Sequence, residues 1–175
     1  CFICSHKESI NKVIHTDYGH LKVGNDDRYS DDVNLLKEVF SECTIPVSIE
    51  EDRRLARWIK LLWNIPYNGL CTINKVDTSY YCTPKQKEEV KEIMLEVQAV
   101  ARAEGYDIAE VTLDKTIEIT LKMTPYKPSM LLDYENGRPL ELKYMYENVI
   151  QEAKNLGVFT PKIIEILNKL KEIKI

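Results

Sequence analysis

Residues 56–70, ARWIKLLWNIPYNGL, place one ammonium and two amides in an apolar and aromatic run. Lys60, Asn64 and Asn68 recur at every fourth position. On an α-helix that spacing drifts by only about 40° per step, so the three share one face. One outcome is a solvated helix face. The other is a polar wall, where an ammonium supplies charge and a proton, and amides donate and accept without adding charge. No formal charge occurs from Leu61 to Asn74, and Trp63 and Tyr67 flank the line. A buried amide must be hydrogen-bonded to protein or ligand, and the residues alone leave both open.

A second cluster lies in YKPSMLLDYENGRPLELKY, residues 126–144. Ser129 follows Pro128 at a helix start, where a hydroxyl can cap or can bind a ligand. Glu141 falls in the first turn of the next expected helix, where a carboxylate gains from the macrodipole. Helix capping is the plainer reading of each.

These residues must be carried by elements legible in the pattern. CFIC reads as a buried strand, and NKVIHTDYGHLKVG as a hairpin turning at Asp17-Tyr18-Gly19, with His15 and His20 beside the turn. The polar run NDDRYSDD marks a boundary. Beyond it DVNLLKEVFSEC has helical spacing through Val33, Leu36 and Val39. TIPVSIEED reads as a short extended connection before the long helix through the Lys60 line, which Pro66 should kink or break. Thr83-Pro84 starts a helix with Gln86 completing a capping box, and Val90, Ile93, Met94, Val97 and Ala101 form its buried line up to Gly105. VTLDKTIEITLKM, PSMLLDYENG and PLELKYMYENVIQEAKNLG read as three more helices. Thr160-Pro161 opens the last, with Ile163, Ile164, Ile166, Leu167, Leu170 and Ile173 as its stripe. That stripe can pack on its own domain or, in a homodimer, on a second subunit. The expected architecture is mainly α: residues 1–25 the last strands of a truncated sheet domain, and 26–175 a helical domain.

Composition narrows the function. The 175-residue chain is 44% hydrophobic and 30% charged, with net charge −4, which points away from nucleic acid and anionic membrane surfaces. No run is long enough to span a membrane, and no signal peptide is visible. Five cysteines without a secretory signal suit reduced thiols in the cytoplasm. Cys1 and Cys4 have C-x-x-C spacing, but on a strand they face opposite sides, and no third ligand joins the histidines, so no metal site is expected. No G-x-G-x-x-G occurs. Opening inside a strand suggests the C-terminal part of something longer, with any phosphate-binding loop in the part that precedes it.

WIKLLWNIPYNGL, EVQAVARAEG, PSMLLDYENGRPLELKYM and AKNLGVFTPKIIEIL together resemble, in order and spacing, the C-terminal domain of the ketopantoate reductase (2-dehydropantoate 2-reductase) family. HTDYGHLKVG is similar to the last strands of that family's dinucleotide-binding domain. W-x-K-x-x-x-N and S-M-x-x-D…G-R-x-x-E are specific in combination and weak apart. The resemblance covers essentially the whole chain. It implies a helical domain like that of 6-phosphogluconate dehydrogenase, set beside a Rossmann domain. It implies NADPH-dependent reduction of a 2-oxo acid, typically ketopantoate to pantoate in pantothenate and coenzyme A synthesis.

By the same resemblance Lys60 is the catalytic lysine, Asn64, Asn68 and Ser129 bind substrate, and Glu141 is the active-site glutamate and a partner for Lys60. A partly buried Lys60 is expected to have its pKa lowered by desolvation. The chain departs from the family at Pro128, where a polar residue is common, at Lys143, where an acid is, and at Tyr146-Glu147, in place of Asn-Gly. These changes leave the reaction type better supported than the substrate, so a related oxo acid is the alternative. A non-catalytic dimerisation domain is another. NADP(H) is expected to bind the full-length protein and not, tightly, this chain alone.

Overall fold

The computed structural model describes residues 2–24, 30–42, 46–50 and 52–174. The chain divides into two compact units, 1–57 and 58–175. The first holds a three-stranded sheet ordered β1-β2-β3. Strands β1 (Phe2–Ser9) and β2 (Lys12–Gly24) are antiparallel, and β3 (Val47–Glu50) runs parallel to β2 through Leu21↔Val47 to Gly24↔Glu50.

One expectation changes here. The hairpin turns at Ile10-Asn11, and Asp17-Tyr18-Gly19 lies within β2. The register steps from Ile3↔Tyr18 to Phe2↔His20, so Gly19 is an extra, bulged residue, with φ +139°. A bulge glycine and a turn glycine leave the same mark in a sequence. His15 and His20 therefore sit along a strand. The extended connection after Pro46 is a strand that pairs with β2. Helix α1 (Ser30–Ser41) exposes Leu35, Leu36 and Val39, and the side chain of Val33 lies outside the described residues. Cys1 and the side chain of Cys4 lie outside the described residues.

The second unit is helical. Helix α2 (Arg53–Asn74) begins ahead of the boundary and supplies its central strut. It does not break at Pro66: the helix runs on, with Leu62, Ile65, Tyr67 and Cys71 on either side of the proline almost wholly buried. That burial outweighs the lost N–H. A 3-10 turn over Thr78–Cys82 leads into α3 (Pro84–Ala103), followed by α4 (Glu110–Lys122) and α5 (Ser129–Glu135). A π-helical turn, Lys143–Glu147, then runs directly into α6 (Asn148–Asn155), and α7 (Pro161–Glu172) ends the unit.

All five expected apolar residues of α3 are buried. Thr83 caps the helix, its hydroxyl accepting from Gln86 N at 3.5 Å, but the box is not completed: Gln86 Oε1 is buried and without a partner among the described residues. In α7, Ile163, Ile166, Leu167 and Leu170 are buried, whereas Ile164 is 37% exposed. It sits about 100° round the helix from Ile163, off the three-four stripe. No described helix is long and apolar enough to cross a membrane.

Candidate active site

Helix α2 presents the polar line at graded depth. Lys60 is exposed, Asn64 is half-buried, and Asn68 is 1% exposed. The three rise by about 6 Å per step along the axis, so the line descends from the surface into the core. The flanking aromatics belong to packing. Trp63 donates through Nε1 to Thr120 Oγ1 on α4 at 3.0 Å and stacks on Tyr67 at 5.1 Å between centroids. Tyr67 meets Tyr81 edge-on at 6.5 Å. Trp58 Nε1 donates to Glu104 at 2.6 Å, tying α2 to the end of α3.

Asn68 and Ser129 come together from positions 61 residues apart. Asn68 Oδ1 accepts from Met130 N at 3.0 Å and from the Ser129 hydroxyl at 3.4 Å. Ser129 is the first residue of α5, as its place after Pro128 predicts, and its side chain is exposed. The loop ahead of α5 is fixed by Thr78, whose N–H donates to Tyr126 O at 3.0 Å and whose hydroxyl accepts from Tyr126 N at 3.1 Å.

Lys60 and Glu141 differ from expectation. Lys60 is exposed rather than partly buried. Glu141 lies one residue ahead of the helical residues, not in their first turn, and its carbonyl accepts from Met145 N at 3.4 Å. Its side chain is exposed as well. The two form no ion pair among the described residues, and solvated charges gain little by pairing. Both remain free to meet a ligand.

Tyr146 and Gly69 make a close contact on α2 that the sequence pattern does not reveal. The Tyr146 side chain is fully buried, and its hydroxyl donates to the Ile65 carbonyl at 2.8 Å, between Asn64 and Asn68 on α2. A Cβ on Gly69 would lie 2.7 Å from that oxygen and 2.5 Å from Ile166 Cγ2. Tyr146 reaches α2 from a π turn, whose wider winding breaks the 3.6-residue period that a pattern reading relies on. Burial pushes the phenol pKa well up, so the group stays a neutral donor.

Among the described residues no cluster of three or more His, Cys, Asp or Glu could hold a metal. Nor does the start of α2 suit a dinucleotide pyrophosphate. Asp52 already caps it, its carboxylate accepting from Arg54 N at 2.8 Å and Leu55 N at 3.1 Å. A phosphate there would meet a fixed negative charge. Along α2 and at the start of α5 the chain thus offers an ammonium, amides and a hydroxyl to a small polar molecule, with Asn68 and Ser129 brought together.

Residues 52–174 match the family described as "Ketopantoate reductase PanE/ApbA C terminal". The chain is 33% identical to the 2-dehydropantoate 2-reductase of Nostoc sp. over 98% of its own length and 56% of that protein's. Among solved structures, the 2-dehydropantoate 2-reductase of Geobacter metallireducens GS-15 superposes with a TM-score of 0.89 at 30% identity, covering 98% of this chain and 58% of the other. The enzyme of the same name from Methylococcus capsulatus gives a TM-score of 0.85 at 31% identity, covering 97% and 55%. The chain spans a little over half the length of each of these relatives. In sequence and in fold, the chain belongs to the ketopantoate reductase family, and residues 52–174 correspond to its helical C-terminal domain.

Proposed function

We propose that this chain is the substrate-binding and catalytic half of an NADPH-dependent reductase that converts ketopantoate to pantoate. The observation that carries the reading is the bond between Asn68 and Ser129, which joins two family blocks far apart in sequence at one place. Dimerisation alone would need no such arrangement.

Reduction of a ketone builds negative charge on its oxygen. The Lys60 ammonium, exposed at the top of the α2 line, is the group to stabilise that charge and deliver the proton. The amides of α2 and the Ser129 hydroxyl hold the carboxylate and orient the carbonyl. Glu141 accepts from a substrate hydroxyl. NADPH supplies the reducing equivalent and is held by a part of the protein other than this chain, consistent with the Asp52-capped turn. By itself the 175-residue chain would turn over nothing and would bind NADPH weakly. Residues 1–25 would be the end of the dinucleotide-binding domain and 26–175 the substrate domain. A homodimer through the helical unit fits the same reading.

The test is oxidation of NADPH and of NADH by the intact gene product containing this chain, with ketopantoate set against a panel of 2-oxo acids. Ketopantoate with NADPH should give the highest kcat/KM. Preference for another oxo acid would place the changes at Pro128, Lys143 and Tyr146-Glu147 in substrate choice. Absence of turnover with every oxo acid would refute the reading.

A further inference from the structure

We propose that Tyr146 is a positioning residue for the oxo acid: its hydroxyl, set against one rung of the α2 hydrogen-bond ladder, braces the turn that spaces Asn64 from Asn68. The proposal rests on the reductase reading of this site.

In a regular helix each N–H donates to the carbonyl four residues back. Along this turn the rungs are Pro66 to Leu62, Tyr67 to Trp63, Asn68 to Asn64 and Gly69 to Ile65. The first is missing, because Pro66 has no N–H. Tyr146 stands at the last. Its hydroxyl donates to the Ile65 carbonyl at 2.8 Å, and the Gly69 N–H faces the same oxygen. A helix bends where proline removes a rung or a side chain enters the ladder. Both occur here within one turn, between the two amides that hold the substrate.

The phenol fits because Gly69 has no Cβ; one built there would lie 2.7 Å from its oxygen. Tyr146 is itself 0% exposed, so it meets no ligand and acts only through α2. It belongs to the π turn that runs into α6, just after Glu141, whose carbonyl accepts from Met145 N. One hydroxyl thus ties the segment that carries Glu141 to the turn that carries Asn64 and Asn68.

Tyr146→Phe in the intact reductase keeps the ring and removes the brace. KM for the oxo acid should rise about fivefold to tenfold, while KM for NADPH stays within about twofold. A loss of stability alone does not predict that split. Glu96→Ala is the control, because the Glu96 carboxylate caps α7 at Lys162 N and Ile163 N. It should lower stability and leave both KM values unchanged. Hydrogen exchange at the Gly69 amide supplies a readout free of turnover. It should accelerate in Tyr146→Phe by more than in Glu96→Ala. An unchanged KM for the oxo acid in folded Tyr146→Phe protein would overturn the proposal, as would equal rises in the two variants. If the wild type reduces no oxo acid, the reductase reading fails alone, and exchange still decides whether Tyr146 braces the turn. Exchange at Gly69 unchanged by Tyr146→Phe overturns the proposal in either case.

Discussion

Tyr146 donates its hydroxyl to the carbonyl of Ile65 at 2.8 Å, pinning the π turn to α2 midway along the polar line. The pin needs Gly69, because a Cβ there would press on Tyr146 Oη and Ile166 Cγ2. Gly→Ala inside a helix ordinarily gains up to about 1 kcal/mol. Here overpacking should reverse the sign and cost about 1–3 kcal/mol. Tyr146→Phe alone should cost about 1 kcal/mol. The pair should cost less than the sum of the singles, since removing the hydroxyl relieves one of the two clashes. Urea unfolding of the three variants measures this, and strict additivity would count against the contact.

Glu96 caps a helix it does not belong to. Its carboxylate oxygens accept from Lys162 N and Ile163 N at 3.0 Å each, at the start of α7, where Thr160 supplies no side-chain cap. Glu96→Ala should lower stability by about 1–2 kcal/mol, and Glu96→Gln, which keeps one acceptor, should lose less. Thermal melts would show the order, and equal losses in both would point to charge rather than capping.

These two contacts, with that of Asn68, show where the sequence stops being legible. Helix starts and stops could be read: Thr83-Pro84 and Thr160-Pro161 open α3 and α7, and α3, α5 and α6 end just before Gly105, Gly137 and Gly157. Such signals are local and work within a turn of the chain. The caps of α5 and α7 come from 62 and 66 residues away, and no local pattern encodes them. The shared face of Lys60, Asn64 and Asn68 follows from helical spacing, but its gradient of depth is set by what packs around α2. The period was misleading at Gly19, where a bulge passes for a turn, and at Ile164, where an apolar residue lies off the buried stripe.

Alkaline pH should destabilise the helical unit through its buried tyrosines and Cys71. Burial pushes the pKa of Tyr67 and of Cys71 up to about 12, and raises those of Tyr81 and Tyr146 as well. Each group is neutral when protonated and keeps its proton more tightly folded than unfolded. The unfolded chain therefore binds fewer protons above the ordinary values, 9.0 for Cys71 and 10.0 for Tyr67, and stability falls with rising pH. The loss starts near those values and continues to about 12 for both. Each group contributes at most about 1.4 kcal/mol per pH unit. Melting curves across that window should fall with pH while the phenolate absorbance of the buried tyrosines rises only on unfolding. A phenolate signal preceding loss of helicity, from more residues than the exposed tyrosines, would contradict the assignment.

Lys60 offers the sharpest separation of chemistry from folding. It stands exposed on α2, so truncating it removes no core contact, and Lys60→Ala should melt within about 0.5 kcal/mol of the wild type. If it is the proton donor to the developing alkoxide, turnover of the intact reductase should fall by about 10²–10⁴. Lys60→Arg keeps the charge but holds its protons too tightly to release them near neutral pH. It should therefore preserve oxo acid binding better than alanine while recovering little of kcat. Steady-state kinetics on the two variants, beside their melts, separate the roles. A Lys60→Arg protein with wild-type kcat would leave Lys60 as an electrostatic anchor, and a Lys60→Ala protein with wild-type kcat would remove it from the reaction.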